Sequence, residues 1–363
     1  MTFSACRSGN AGDPPSAQRE GGAALYFATR RVEVISLFRR VLGLTRRARW
    51  LLPALSFAAG WVGFLLVQRG EEAARLIALL ALLGWFWLLL EPWVRRGIER
   101  RRQRVGNFVV NFITQSLQQE LLFFSLPLLI GSTQRDVGQV AFTGLVGVAA
   151  VVSTIDPVYE RVIATQAARR MSFHAFCSWI AALVVLPMVL LVPVEQALPI
   201  SLLAVSAWLL LTLPLSLYSL PRRRTKIAWI VGMIGVPILF WGLRAQVPAA
   251  GLAVTDARVT QTIDGLTPGA PLRRLRQEDL DQGVIAFAAI RAPAGLSQGV
   301  VFEWRHNGER EQIGIEIHGG KADGFRAYSR KHVFPEDSVG LWTVDVLTPQ
   351  AQLLERLRFV VEG

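Results

Sequence analysis

"NFVVNFITQSLQQELLFFSLPLLIG", Asn107 to Gly131, is polar in its first half and apolar in its second, and the number of membrane crossings turns on it. The first half carries Asn107, Asn111, Gln115, Gln118, Gln119 and Glu120, whereas Leu121–Gly131 carries no charge. A helix takes about 20 residues to span ~30 Å of hydrocarbon. If the polar half lay flat on a surface, the eleven residues left would be too few to cross. If the whole segment crosses, every later connector changes side.

Working outward, six further apolar runs flank it: Trp50–Val67, Leu76–Val94, Gln139–Val158, His174–Val194, Pro199–Leu220 and Ile227–Leu243. Such density agrees with the composition. A chain of 363 residues, 52% hydrophobic and 18% charged, has more apolar surface than a soluble fold of this length buries. Connector charge settles the count, because Lys and Arg are retained on the cytoplasmic side. With seven crossings and the amino terminus inside, the cytoplasmic segments hold 22 basic residues and the opposite face holds four, Arg69, Arg75, Arg135 and Arg244. A re-entrant third run would send Arg161, Arg169 and Arg170 outside. The expected bundle therefore occupies residues 50–244 and has about seven transmembrane helices. Trp50, Trp93, Trp229 and Trp241 fall near its helix ends, where an amphipathic ring is favoured.

The net charge of +12 raises nucleic acid as a partner. The surplus lies wholly before Gly251, and the densest cluster, Arg95–Arg104, has neither stacking aromatics nor a recognised module around it. It reads as a topology signal that contacts anionic lipid headgroups, at ~1 kcal/mol per residue, with no nucleic-acid role. Residues 1–31 read as a disordered segment. Residues 32–49 read as a basic amphipathic helix on the cytoplasmic headgroups or as a simple juxtamembrane linker.

Beyond Arg244 the pattern changes. Residues 245–252 read as a linker, and from Ala253 the apolar period becomes two. Strands are expected near 253–262, 284–291, 300–306, 312–318, 325–329, 341–347 and 357–361, separated by turns such as "HNGER" and "PEDSVG". Seven short strands within residues 253–363 suit an all-β, Ig-like sandwich without its disulfide, since Cys6 and Cys177 both lie elsewhere. By parity this module is periplasmic and the bundle sits in a bacterial inner membrane.

The motifs "FEWRH" (Phe302–His306), "FRAYSRK" (Phe325–Lys331), "GLWTV" (Gly340–Val344) and "LRFVV" (Leu357–Val361) resemble the signature of the bacterial domain of unknown function 2914. The segment "QSLQQELLFFSLPLLI" (Gln115–Ile130) resembles the uncharacterised proteobacterial multi-span family usually fused to that domain. Together the resemblances cover nearly the whole chain after Val32. They imply a multi-span bundle with a periplasmic domain behind it, and they imply no activity or site residue.

Two sets of side chains are candidates for function. At 100° per residue Asn107, Asn111, Gln115 and Gln118 form one stripe that must face other helices or water, while Glu120 points elsewhere near mid-bilayer. Asn111, Gln115, Gln118, Gln119 and Glu120 either line a proton or substrate site or hydrogen-bond between helices and lock the bundle. In the outer module Trp304, His306, Arg326, Tyr328 and Lys331 either form a patch for a glycan or partner protein or divide between core and solvated face. His174 at a helix start, and Glu91 and Asp156 beside prolines, read as interfacial. No catalytic signature is present, and His174, His306, His318 and His332 do not cluster at ligand spacing, so neither metal nor cofactor is expected. The expected function is a non-enzymatic envelope protein presenting the module to a protein or glycan. The alternative is a transporter or membrane-embedded enzyme working at the third span around Glu120.

Overall fold

The computed structural model describes residues 58, 62, 71–101, 104–190, 192–292, 297–320 and 323–363. The segments 1–31 and 32–49 and nearly all of the first apolar run lie outside them. Each of the other six runs is a helix: α1, Glu71–Arg100; α2, Arg104–Ser132; α3, Val137–Thr154; α4, Ala167–Leu190; α5, Ala197–Ser219; and α6, Arg223–Gly242. The four helices α3 to α6 are long and apolar enough to cross a membrane. The polar and apolar halves of the Asn107–Gly131 stretch belong to one unbroken helix, α2, of 29 residues.

Local chemistry sets the ends. Asp136 caps α3, its carboxylate accepting from the backbone N–H groups of Gly138 (2.9 Å) and Gln139 (3.3 Å), which contributes about 1 kcal/mol. Beyond Thr154, Pro157 sits in the turn Asp156–Val158, and a π-helical turn, Tyr159–Ala164, leads into α4. The bundle core gathers Leu88 of α1, Leu122 and Leu129 of α2, Val146 and Ala150 of α3, Ile180 and Leu183 of α4 and Leu198 of α5. Large apolar side chains also point outward, among them Leu203, Leu211, Val231 and Ile238, and no residue of α6 is fully buried.

The carboxyl-terminal region is all β. Its strands are β1, Ala253–Thr260; β2, Ile263–Asp264; β3, Thr267–Pro268; β4, Arg274–Arg276; β5, Val284–Arg291; β6, Ser297–His306; β7, Glu309–His318; β8, Phe325–Lys331; β9, Gly340–Leu347; and β10, Leu353–Glu362. They form a three-stranded sheet, β1-β5-β8, a five-stranded sheet, β4-β10-β9-β6-β7, and the β2-β3 hairpin. The two larger sheets share one core, with Val259, Ala286 and Ala327 from the first facing Phe302, Trp304, Val344 and Phe359 from the second. Alternation of apolar and polar residues selects the inner faces. The β6-β7 turn is Asn307-Gly308, with φ of 44° and 87°, the left-handed pair that a two-residue hairpin of this twist requires.

Residues 245–252, read as a linker, connect α6 to β1 and are packed on the way. Val247, Ala249 and Leu252 are each at most 1% exposed, with Val247 in the helical core and Ala249 and Leu252 in the β core. Buried backbone needs partners. Gln352 donates to the Val247 carbonyl (3.1 Å), and the Gly251 N–H donates to the Ser132 hydroxyl (3.1 Å). The segment is a packed joint, because an apolar stretch this short between two cores gains more by burial than by exposure.

Candidate functional site

The polar stripe of α2 is occupied by specific partners at the arginine-bearing end of the bundle. Proline explains two of them. Pro92 has no N–H for the carbonyl of Leu88, four residues earlier, and His174 on α4 fills the gap with Nε2 2.6 Å from that oxygen. Pro157 likewise cannot serve the Ser153 carbonyl at the end of α3, and Gln115 donates to it at 3.0 Å while also donating to the Asp156 carboxylate at 3.0 Å. With Nε2 donating, His174 Nδ1 is an acceptor and receives the Gln118 amide at 3.2 Å. The Gln118 oxygen accepts from the Tyr159 hydroxyl at 2.9 Å. The result is a directed chain, Tyr159 to Gln118 to His174 to Leu88, in which each donor meets an acceptor.

Around this chain lies a cavity of about 70 Å³ whose walls come from α1, α2, α4, α5 and α6 and from the π-helical turn. Glu91 and Arg95 form a buried ion pair one turn apart on α1, and Arg95 also donates to Asn111 at 2.7 Å. Arg170 and His174 line the cavity from α4, while Trp208 and Trp229 line it from α5 and α6. The His174 ring lies 5.3 Å from the Trp208 ring, and Trp208 is anchored by its indole N–H on the Leu89 carbonyl at 2.9 Å.

Of the five intramembrane candidates, Gln118 alone lines the cavity, Asn111 bonds to the lining residue Arg95, and Gln115 bonds to Ser153 and Asp156 outside it. Gln119 is buried with its amide nitrogen lacking a partner among the described residues. Glu120 is exposed, does not line the cavity and stands apart from the stripe. Sequence reasoning did not join Glu91, Arg95, Tyr159 and Arg170 to the stripe. The readable signal was the pair of prolines, each of which withholds an N–H from a carbonyl four residues earlier.

The outer candidates divide into three environments. Trp304 is 1% exposed, donates to the Ser329 hydroxyl at 3.0 Å and packs edge-on to Phe359, so it offers no surface. Its strand register puts it on the face of Phe302, which is core. His306 is also buried, stacked at 4.3 Å on Trp342, with Lys331 close over the same Trp342 and paired with Glu311. Arg326 and Tyr328 are exposed together on the outward face of β8.

There the register builds two rows across the small sheet: Asp256, Ala289 and Arg326 in one, Arg258, Phe287 and Tyr328 in the other. Between them and the β2-β3 hairpin runs a groove of about 190 Å³, with Asp256, Arg258, Phe287, Pro268, Asp323 and Arg326 along it. Asp256 and Arg258 are held together by a two-oxygen ion pair, and Arg326 reaches the Leu266 carbonyl at 3.4 Å. Among the described residues no three His, Cys, Asp or Glu side chains gather as a metal-binding group.

Comparison with protein families gives two matches. A model described as a family of unknown function, DUF5924, matches residues 32–286, and one described as a protein of unknown function, DUF2914, matches residues 297–361. No curated protein matches the chain. The first match ends inside β5 and the second begins with β6, yet β5 pairs with β8 and β4 pairs with β10, so the sheets are completed by strands from both matches.

Proposed function

We propose that this chain, which belongs to the DUF5924 family and carries a DUF2914 region at its carboxyl end, is a seven-pass bacterial inner-membrane protein presenting an Ig-like periplasmic module to an envelope protein or glycan. The observation that carries the binding role is the groove on the β1-β5-β8 face. It combines two guanidinium groups, Arg258 and Arg326, with two carboxylates, Asp256 and Asp323, along one concave surface, and the exposed ring of Tyr328 stands beside it, next to Phe287 in the sheet. Aromatic area with flanking charged hydrogen-bonding groups is the chemistry that recognises sugars and polar protein surfaces.

Membrane placement draws support from the outward apolar side chains of α5 and α6, which suit lipid and not water. Orientation draws support from charge: Arg95, Arg96, Arg161, Arg169, Arg170 and Arg222–Arg224 gather at one end of the helices, near anionic headgroups. The Ig-like reading draws support from strand order. Numbering the seven long strands one to seven in chain order, one sheet is 1-2-5 and the other 7-6-3-4 apart from β4, the split of an Ig sandwich with its fourth strand moved to the second sheet. No catalytic step is assigned.

The test is a photo-cross-linking phenylalanine placed at Tyr328 in the full chain in cells, with Val360, exposed on the other sheet, as control. A discrete protein or glycan adduct from position 328 alone is expected. Equal labelling from both positions, or none from 328, would remove the reading.

A second reading, a transporter or membrane-embedded enzyme at the polar helix, is favoured by one observation: Gln118 lines a cavity beside buried ionisable groups. It places the working residues at Gln118 and His174 instead of Glu120. Gln118→Leu then abolishes the cellular phenotype while Glu120→Gln leaves it intact.

A further inference from the structure

The hydrogen-bonding inventory of the bundle cavity is lopsided. Several of its acceptors are engaged: a Glu91 carboxylate oxygen by Arg95, the Gln118 oxygen by Tyr159, the Thr114 hydroxyl oxygen by Trp87 at 3.2 Å, and Nδ1 of His174 by Gln118. Several donors are not. Trp229 lines the cavity with its indole N–H buried and without a partner among the described residues. The Arg170 guanidinium, half-buried at the cavity wall, makes no hydrogen bond or ion pair with any described residue. Arg96 rests its guanidinium on the Tyr218 ring, 4.1 Å from the centroid, a contact that leaves the N–H edge available. The one remaining carboxylate, Glu99, is exposed at the mouth and offsets only part of this charge.

A buried donor without an acceptor costs about 1–3 kcal/mol, more when charged. The Trp229 N–H is such a donor, and with the half-buried guanidinium groups of Arg170 and Arg96 beside it the cavity is complementary to a ligand made of acceptors. We infer that the cavity binds a phosphate-type oxyanion, held by Arg170 with Trp229 and Arg96, with Met171 and Leu215 providing apolar wall for any chain attached to it. Guanidinium groups match phosphate oxygens in geometry as well as charge. The same chemistry has two sources, the headgroup of an anionic phospholipid or free phosphate. The lipid source rests on the membrane placement proposed above, and the free-phosphate source does not.

The full chain in mild detergent, stripped of lipid, is titrated with phosphatidylglycerol by native mass spectrometry and separately with inorganic phosphate by calorimetry. One saturable site is expected with at least one probe, and which probe binds identifies the source. Arg170→Gln should weaken it by about 10–100-fold, the loss of a charge-assisted pair. Trp229→Phe, which removes a single N–H and keeps the ring, should weaken it by about 3–10-fold. Arg161→Gln, an exposed arginine at the same end, should leave it unchanged. Saturable binding to neither probe, or binding equally tight in Arg170→Gln and Trp229→Phe, overturns the site. The outcome is independent of cross-linking at Tyr328, so the two readings fail separately.

Discussion

Gln139, in the first turn of α3, donates its side-chain amide to the carbonyl of Leu353 on β10 at 2.7 Å and to that of Ala245 at 3.0 Å, and its oxygen accepts from the Gln134 N–H at 2.9 Å. One buried side chain thus ties the α2–α3 connector, the joint after α6 and the second sheet. Gln298 and Glu195 add to the junction: Gln298 accepts from Val194 N–H at 2.8 Å, and Glu195 accepts from Gly299 N–H at 3.2 Å. Gly299 has to be glycine there, since a Cβ would stand 2.9 Å from the Glu195 carboxylate and 2.7 Å from Pro349. Gln139→Ala leaves three backbone groups without partners. We expect a loss of about 2–4 kcal/mol and new cleavage within residues 245–252 on limited proteolysis of the full chain in detergent. An unchanged cleavage pattern would show that the joint is held elsewhere.

The contact between His174 and Leu88 exists because Pro92 frees that carbonyl, and this makes a specific coupling testable. In the natural background His174→Ala strands the Leu88 oxygen. In a Pro92→Ala background the new N–H of residue 92 serves the same oxygen, so His174→Ala should cost less by about 0.5–3 kcal/mol. Thermal unfolding of the four proteins in one detergent measures the difference. Additive losses would mean that the imidazole stabilises through Gln118 and Trp208 alone.

How much of this was readable beforehand differs by element. The six described helices were visible as apolar runs, but their ends were not: Leu76–Val94 became Glu71–Arg100, because backbone hydrogen bonding continues past the point where side chains turn polar. The seven longer strands followed from a period of two, whereas β2, β3 and β4, of two or three residues each, are too short to show any period. The stripe Asn111, Gln115, Gln118 was legible as a face, and the offset of Glu120 from it as well. Its partners were not, since Tyr159 reaches Gln118 through a π-helical turn that no local pattern announces. The outer candidates mixed two faces: Trp304 and His306 were grouped with Arg326 and Tyr328 by chemistry, while sheet register separates them.

That separation is itself a prediction. Trp304→Ala empties a core position and should cost about 3–5 kcal/mol, enough to unfold the β region and lose its near-ultraviolet circular dichroism. Tyr328→Ala alters an exposed side chain and should change stability by no more than about 0.5 kcal/mol, while weakening whatever binding the adjoining groove supports. If Tyr328→Ala melted the region as Trp304→Ala does, the outward face of β8 would be structural and not a recognition surface.

Two carboxylates on the larger sheet should respond to acid in opposite directions. Burial pushes Glu303 up, but hydrogen bonds from Gln312 and Arg305 and the charges of Arg305 and Arg310 outweigh it and hold the group below its ordinary value of 4.5. A carboxylate held low in the fold contributes stability that is complete above its unfolded value and is lost as pH falls through the folded one. Glu355 is raised above 4.5 by burial, only partly offset by the Arg356 N–H and the charge of Arg135 at the helical junction. Its contribution is present below the unfolded value and is lost as pH rises through the folded one, so at neutral pH its ionised form opposes folding. Glu303→Gln should therefore destabilise the chain at pH 7 and converge with the natural protein in acid. Glu355→Gln should stabilise it at pH 7 and likewise converge in acid. Melting curves between pH 3 and 8 separate the two, and a Glu355→Gln protein that melts lower than the natural one at pH 7 would mean that Arg135 and Arg356 together overcome burial.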